Sequence, residues 1–185
     1  MTAIVTTRTE KQTGQETESF IDKVIAVFTG LDCCKTFKHL IGQSQQNQRE
    51  TIKNFQTDLQ NKLNEAFGLN GSPKWEIEVP ANEAYRDSFD LFLEVVLDEI
   101  PYTVIIELDK NRADQIAKKF LSRTSHTIDK PTIYFAFCYP GTDKMQIGEA
   151  KKYFKYCLNI SHKMSNLQTP KKFIGLVVEK NNNNK

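Results

Sequence analysis

The 185-residue chain carries 25 Lys and Arg against 23 Asp and Glu, a formal net charge of +2, and is 39% hydrophobic and 26% charged. That length fits one α/β domain able to bury roughly 70% of the surface its unfolded form exposes, and it argues against a second full domain. No apolar run reaches the ~20 residues needed to cross a bilayer, and the polar start MTAIVTTRTEKQTGQE has no secretory apolar core, so the chain is expected in the cytoplasm.

Residues 1–17 read as a flexible arm, because their composition is polar and offers little to bury. Ser19 then fits the cap of a helix whose Phe20, Val24, Val27, Phe28 and Leu31 follow helical spacing, with Gly30 near its end. A longer helix is expected from about Ser44 to Phe67. Ile52, Phe55, Leu59, Leu63 and Phe67 make one stripe, the other face is mostly Gln, Asn, Lys and Glu, and Gly68 is a natural stop. NGSP (70–73) breaks the chain, and KWEIEV (74–79) alternates as a strand before Pro80.

Two strands, SFDLFLEVVL and YTVIIELD, flank the short connection DEIP (98–101), the pattern of an antiparallel hairpin. NRADQIAKKFLSR reads as a helix with Ala113, Ile116, Ala117 and Phe120 on one face. PTIYFAFCYP is an almost wholly apolar run between prolines, the pattern of a central buried strand. MQIGEAKKYFKYCLNIS suggests a further helix, KKFIGLVVEK a last strand, and the tail at 181–185 has nothing to bury. The expected architecture is a single α/β domain over 18–180: a mixed sheet of about five strands flanked by helices, with the hairpin 88–109 in its middle.

The hairpin contains acids where a buried strand ordinarily avoids them. Glu107 and Asp109 alternate onto one face of their strand, and a turn around Asp98 to Pro101 sets position 90 almost opposite position 109, so Asp90 joins them. Three converging carboxylates repel unless something positive lies between them. An all-oxygen set of this kind suits Mg2+ or Mn2+ better than zinc, and such an ion polarises a phosphodiester and activates water. The helix after Asp109 offers Arg112, Gln115, Lys118 or Lys119, and Ser122 or Arg123 away from its apolar stripe, a polar face suited either to solvent or to a phosphate backbone.

At this point the sequence resembles the PD-(D/E)XK nuclease superfamily, which includes many type II restriction endonucleases. RDSFD (86–90), a hairpin, VIIELD (104–109), a basic helix and an apolar strand carry the resemblance, over roughly residues 45–140. It implies a DNA-cleaving phosphodiester hydrolase with Asp90 and Glu107 binding metal, acting on DNA as a homodimer. The sequence departs from the family where its lysine stands: Asp109 holds that place, as a second acid does in some restriction enzymes. Asp109 is then a third metal-side acid, and the general base is open among Asp109, a water on the metal, and Lys118 or Lys119. Arg112, Gln115, Lys118 and Arg123 are the expected nucleic-acid contacts.

Other groups carry blander readings. Glu76, Glu78, Glu50 and Glu65 are outlying candidates for an extra ligand, and Glu94, Asp98 and Glu99 lie farther along the hairpin or in its turn. His39, His126 and His162 have no nucleophile or acid at a telling spacing. Cys33, Cys34, Cys138 and Cys157 form no zinc pattern and read as buried thiols. Two alternatives to the nuclease stand beside it: a nucleic-acid-binding module that keeps the fold without catalysis, and an interaction protein whose acids pair with its own helix lysines.

Overall fold

Alternation of apolar residues along the strands sends them to both faces of one sheet, and two groups of amphipathic helices cover those faces. The computed structural model describes residues 4–8, 14–37, 40, 42–68, 74–81, 87–110, 113–139 and 147–178. The elements in chain order are β1 (Ile4–Arg8), α1 (Gln15–Gly30), α2 (Cys33–Phe37), α3 (Gln45–Phe67), β2 (Glu76–Pro80), β3 (Ser88–Leu97), β4 (Ile100–Lys110), α4 (Ala113–Ser125), β5 (Thr132–Tyr139), α5 (Ile147–Met164) and β6 (Lys171–Val178). The six strands form one mixed sheet in the order β1-β6-β5-β4-β3-β2. Strands β2, β3 and β4 run antiparallel in a meander. Helices α4 and α5 are crossovers to strands that pair in parallel, β4 with β5 and β5 with β6, because a helical connection returns the chain to the same end of the sheet.

Phe20, Val24 and Phe28 of α1, Phe37 of α2, and Phe55, Leu59 and Leu63 of α3 pack on Leu91, Val104, Ile106, Phe135, Phe137 and Leu176 on one face. On the other, Ile116 and Phe120 of α4 and Ala150, Phe154 and Cys157 of α5 cover Ile105, Tyr134, Ala136, Cys138 and Phe173. All eight residues of β5 are buried, as expected of a strand with a neighbour on each side and helices on both faces. Phe154 lies against Gly175 so closely that a Cβ there would meet its ring at 2.4 Å.

Helix α3 begins and ends where its sequence dictates. The Ser44 hydroxyl accepts the Asn47 N–H, and Gly68 closes the helix in the left-handed region at φ 64°, a conformation with little cost for glycine. Four boundaries differ from expectation. Residues 4–8, expected in a flexible arm, form β1 and pair with β6 from Ile4↔Val178 to Arg8↔Ile174; the β-branched run Ile-Val-Thr-Thr favours a strand despite its polar setting. Helix α1 starts at Gln15, four residues before Ser19. The sheet has a sixth strand, so β5 and β4 occupy its centre and the hairpin lies toward the β2 edge. Finally, the hairpin closes through Asp98 and Glu99 alone, with Leu97 opposite Ile100. The expected tail at 181–185 lies outside the described residues.

Asp98 and Glu99 have φ 49° and 64°, the two left-handed residues of a tight hairpin turn, a geometry usually given to Asn or Gly. A contact with α1 supports it. The Asp98 carboxylate accepts the N–H groups of Glu16 and Thr17 and the Thr17 hydroxyl at 3.2, 2.9 and 2.7 Å, and Glu16 Oε2 accepts the Asp98 N–H at 2.7 Å. The hairpin tip therefore caps the start of α1 and satisfies donors a helix leaves open. This anchor fixes the register: continued from Leu91↔Ile106, it sets Asp90 level with Glu107 rather than with Asp109. A two-residue shift keeps every side chain on its face.

Candidate functional site

β3 and β4 part company at the end where the acids lie. Their pairing runs from Leu97↔Ile100 to Leu91↔Ile106, whereas β4 stays paired with β5 as far as Lys110↔Tyr139. Beyond that point β3 continues to Ser88 but pairs with β2 alone, so the β3-facing edge of residues 107–110 has no ladder partner. There the Asp90 carboxylate takes over from the backbone, Oδ2 accepting the Leu108 N–H at 2.7 Å. On the other edge of β3, the β2 ladder skips one position: Ile77↔Leu91 and Val79↔Phe89 pair, but Glu78 between them has φ 54°. The Asp90 carbonyl, level with Glu78, instead accepts Gln56 Nε2 of α3 at 2.5 Å. Asp90 is held through its backbone by α3 and through its side chain by β4.

Glu107 and Asp109 point to the α4 face, and helix α4 answers them. Lys119 Nζ lies 3.0 Å from Glu107 Oε2, 3.2 Å from Asp109 Oδ1 and 3.5 Å from Asp90 Oδ2. One turn later, Arg123 Nε donates to Glu107 Oε1 at 3.0 Å, and its Nη1 pairs with Asp87 at 2.9 Å. Ser122 Oγ adds a hydrogen bond to Asp87 at 3.0 Å. Lys119 and Arg123 face the same side because residues four apart on a helix are neighbours. Four carboxylates therefore surround two side-chain cations, and full ionisation leaves two negative charges uncompensated. One buried oxygen, Asp109 Oδ2, has no hydrogen-bond partner among the described residues, whereas Glu107 Oε2 is compensated by the Lys119 ammonium at 3.0 Å.

The two signs of charge fare differently here. Burial raises the Glu107 carboxyl to about 7, with Asp90 adding to the rise and Lys119 and Arg123 opposing it. Burial also raises Asp109, against the pull of Lys119. Burial acts to lower Lys119, but Glu107, Asp109 and Asp90 outweigh it and hold the ammonium above its ordinary value. Asp87, half exposed, is held below its ordinary value by the Ser122 hydroxyl and then by Arg123. Lys119 in this arrangement is a fixed positive charge and not a base.

Asp90, Glu107, Asp109 and Lys119 are thus brought together. The expected nucleic-acid face of α4 is not an open one. Arg123 is only 8% exposed and engaged with Glu107 and Asp87, because a buried acid on β4 draws the nearest long cation inward. Lys118 is exposed but pairs with Asp114 at 3.6 Å, and Gln115 Nε2 donates to Asp114 Oδ2 at 3.2 Å. Arg112 lies outside the described residues. Glu50, Glu65 and Glu94 are exposed, and Glu78 receives Gln56 and Ser88 instead of joining the cluster.

Sequence reasoning passed over Asp87 and Gln56. Gln56 carried a signal: it falls on the apolar stripe of α3, four residues after Ile52 and three before Leu59, and is 4% exposed. A polar residue in that stripe implies a buried partner. Asp87 carried none, since its role depends on Arg123 from another element.

As a metal site the cluster fits in donor chemistry, with hard oxygen ligands and, at Asp109 Oδ2, a buried oxygen without a hydrogen-bond partner among the described residues. Its present geometry is set by Lys119, and among the described residues no group of three His, Cys, Asp or Glu is arranged to hold a metal ion. No helix is long and apolar enough to cross a membrane among those residues. Comparison with protein-family models, with curated proteins and with solved structures finds no match to this chain.

Proposed function

We propose that the protein is a divalent-metal-dependent nuclease hydrolysing DNA phosphodiester bonds, of the PD-(D/E)XK kind that its sequence resembles. The observation that carries the reading is the convergence of Asp90, Glu107 and Asp109 on one ammonium, where the β3–β4 ladder ends. The antiparallel meander followed by a helix and a parallel strand agrees with the resemblance. Asp90, Glu107 and Asp109 are the residues that would hold Mg2+ or Mn2+, which when bound would supply positive charge at the phosphate and acidify water. Asp90 is positioned by Gln56 and the Leu108 N–H, so its carboxylate is fixed before substrate arrives. Lys119 stands in for the lysine missing after Glu107: its protonated amine offers a positive charge to the phosphate, where charge builds during phosphoryl transfer. Arg123 and Asp87 hold Glu107 from behind.

The same ion pairs favour a second reading, a closed network in which Lys119 and Arg123 do nothing but neutralise the acids. The uncompensated charge and the unpartnered Asp109 Oδ2 weigh against it. The decisive experiment is nicking of supercoiled plasmid in Mg2+ or Mn2+ against EDTA, for the parent and for Asp90→Asn and Glu107→Gln, with circular dichroism to verify folding. Metal-dependent nicking lost in both folded variants supports the nuclease. Absence of nicking in the parent, together with no thermal shift on adding either ion, leaves the closed network.

A further inference from the structure

A cleft of about 750 Å3 opens between α3 and the ends of β2, β3 and β4, and reaches Asp90. Helical spacing turns Gln45, Gln48, Arg49 and Lys53 of α3 toward it, and Lys110, last residue of β4, closes the far side, its amine donating to Gln48 Oε1. Arg49 and Lys53 are exposed and make no ion pair among the described residues. The contrast with α4 decides the matter: there Lys119 and Arg123 are drawn into the carboxylate cluster and Lys118 is tied to Asp114. Available positive charge beside the acids is therefore concentrated on the α3 side. A net charge of only +2 for the whole chain makes this a local feature rather than a general basic surface.

We infer that this cleft seats the backbone of a duplex nucleic acid, with Arg49, Lys53 and Lys110 on phosphates that flank the one delivered to Asp90. The inference rests on the nuclease reading and adds where the substrate lies and what holds it. Arg49 and Lys53, one helical turn apart, present two cations in a row along the cleft, the arrangement a regularly spaced phosphate backbone rewards with counterion release. The occupant is a duplex rather than a single strand, because single-strand grooves rely on exposed aromatic rings for base stacking. The aromatic residue in this lining, Tyr139, is 4% exposed and already stacked on Phe37 at 4.8 Å. Contacts confined to phosphates position the substrate without reading its sequence.

The test is binding of a fluorescent 20-base-pair duplex in EDTA between 50 and 200 mM salt, comparing the parent with the triple variant Arg49→Gln, Lys53→Gln, Lys110→Gln. At about 0.9 per phosphate contact on duplex DNA, three lost contacts flatten the slope of log affinity against log salt by about 2.7. Over that fourfold salt range the parent then loses about 40-fold more affinity than the variant. A control with the same charge change on α5, Lys151→Gln, Lys152→Gln, Lys155→Gln, is expected to keep the parent slope. Equal flattening in both variants, or none in the cleft variant, overturns the inference, as does binding confined to single strands. Hydrolysis of bis(p-nitrophenyl) phosphate in Mn2+ separates the two failures: this small diester needs no cleft. A parent that hydrolyses it while the cleft variant binds duplex normally loses the cleft and keeps the nuclease. A parent that neither hydrolyses it nor binds duplex loses both.

Discussion

Metal-free protein is expected to become less stable as pH rises from 5 to 8, and Glu107 is the reason. Its carboxyl, with no exposure, is raised from 4.5 to about 7 by burial first and by Asp90 second. Between those values the folded state holds a proton that the unfolded state has released. Stability contributed by that proton is fully present below about 4.5 and is lost as pH passes about 7. A difference of about 2.5 pH units, at about 1.4 kcal/mol each, corresponds to a loss on the order of 3 kcal/mol. Asp109, raised in the same direction, adds to it. Asp87 and Asp98 are shifted downward, so their contributions disappear only in more acid solution, below this window. With a urea m-value of about 2 kcal/mol/M, the unfolding midpoint drops by about 1.5 M between pH 5 and pH 8. The assay is urea unfolding in EDTA across that range for the parent and for Glu107→Gln, whose amide does not titrate and whose slope should shrink to what Asp109 contributes. Excess Mg2+ or Mn2+ is expected to cancel or reverse the parent slope, since a cation favours the ionised carboxyls. A metal-free parent whose midpoint is constant or climbs from pH 5 to 7 refutes the placement of Glu107 as a buried acid short of positive charge.

Three further outcomes are expected. Lys119→Met removes the ammonium shared by three acids; with its side chain 30% exposed, the loss is scaled down from that of a fully buried pair to about 1–2 kcal/mol at pH 8, and nicking turnover falls about 100-fold or more with little change in KM, so turnover within threefold of the parent shows that Lys119 is structural. Gln56→Leu leaves the Asp90 carbonyl without its donor and lowers stability by about 1–3 kcal/mol in urea unfolding; an unchanged midpoint means the ladder closes over Glu78 without help from α3. Gly175→Ala presses a methyl into the Phe154 ring and costs about 1–3 kcal/mol by the same measurement, and combining it with Phe154→Leu should cost less than the two changes added separately.

The fold was legible wherever a segment's pattern depended on one environment. Thr132–Tyr139 is buried on both faces, and its unbroken apolar run said so. Gln45–Phe67 has its cap, stripe and terminating glycine in the sequence itself. What failed involved partners from elsewhere in the chain. Ile4–Arg8 is a strand because β6 offers it an edge 170 residues later, and α1 begins at Gln15 because Asp98, from a hairpin tip, supplies the cap that the local sequence lacks. The turn was placed one residue late for the same reason: Asp98 and Glu99 are poor left-handed residues on their own, and only the contact with α1 makes that conformation worthwhile.

The site divides along the same line. Alternation alone brought Glu107 and Asp109 to one face, and hairpin geometry brought Asp90 near them; the register error of two residues did not matter because faces repeat every two. The helix face was also visible, since Lys119 and Arg123 are four apart. Of the two readings given to it, a surface for phosphate and a source of counter-charge, the ion pairs of Lys119 and Arg123 match the second. That role follows from electrostatics that the sequence already contained: two acids on a strand that pairs on one side and is roofed by a helix are buried, buried acids require cations, and α4 is the next element in the chain to supply them. The demand is met only in part, for Lys119 and Arg123 face four carboxylates. A network built for stability alone can be made neutral by exchanging two of the acids for amides of the same shape. The proposed metal site rests instead on the surplus of acids, on the unpartnered Asp109 Oδ2 and on a lysine that reaches all three inner carboxylates, whose charge an ion would replace.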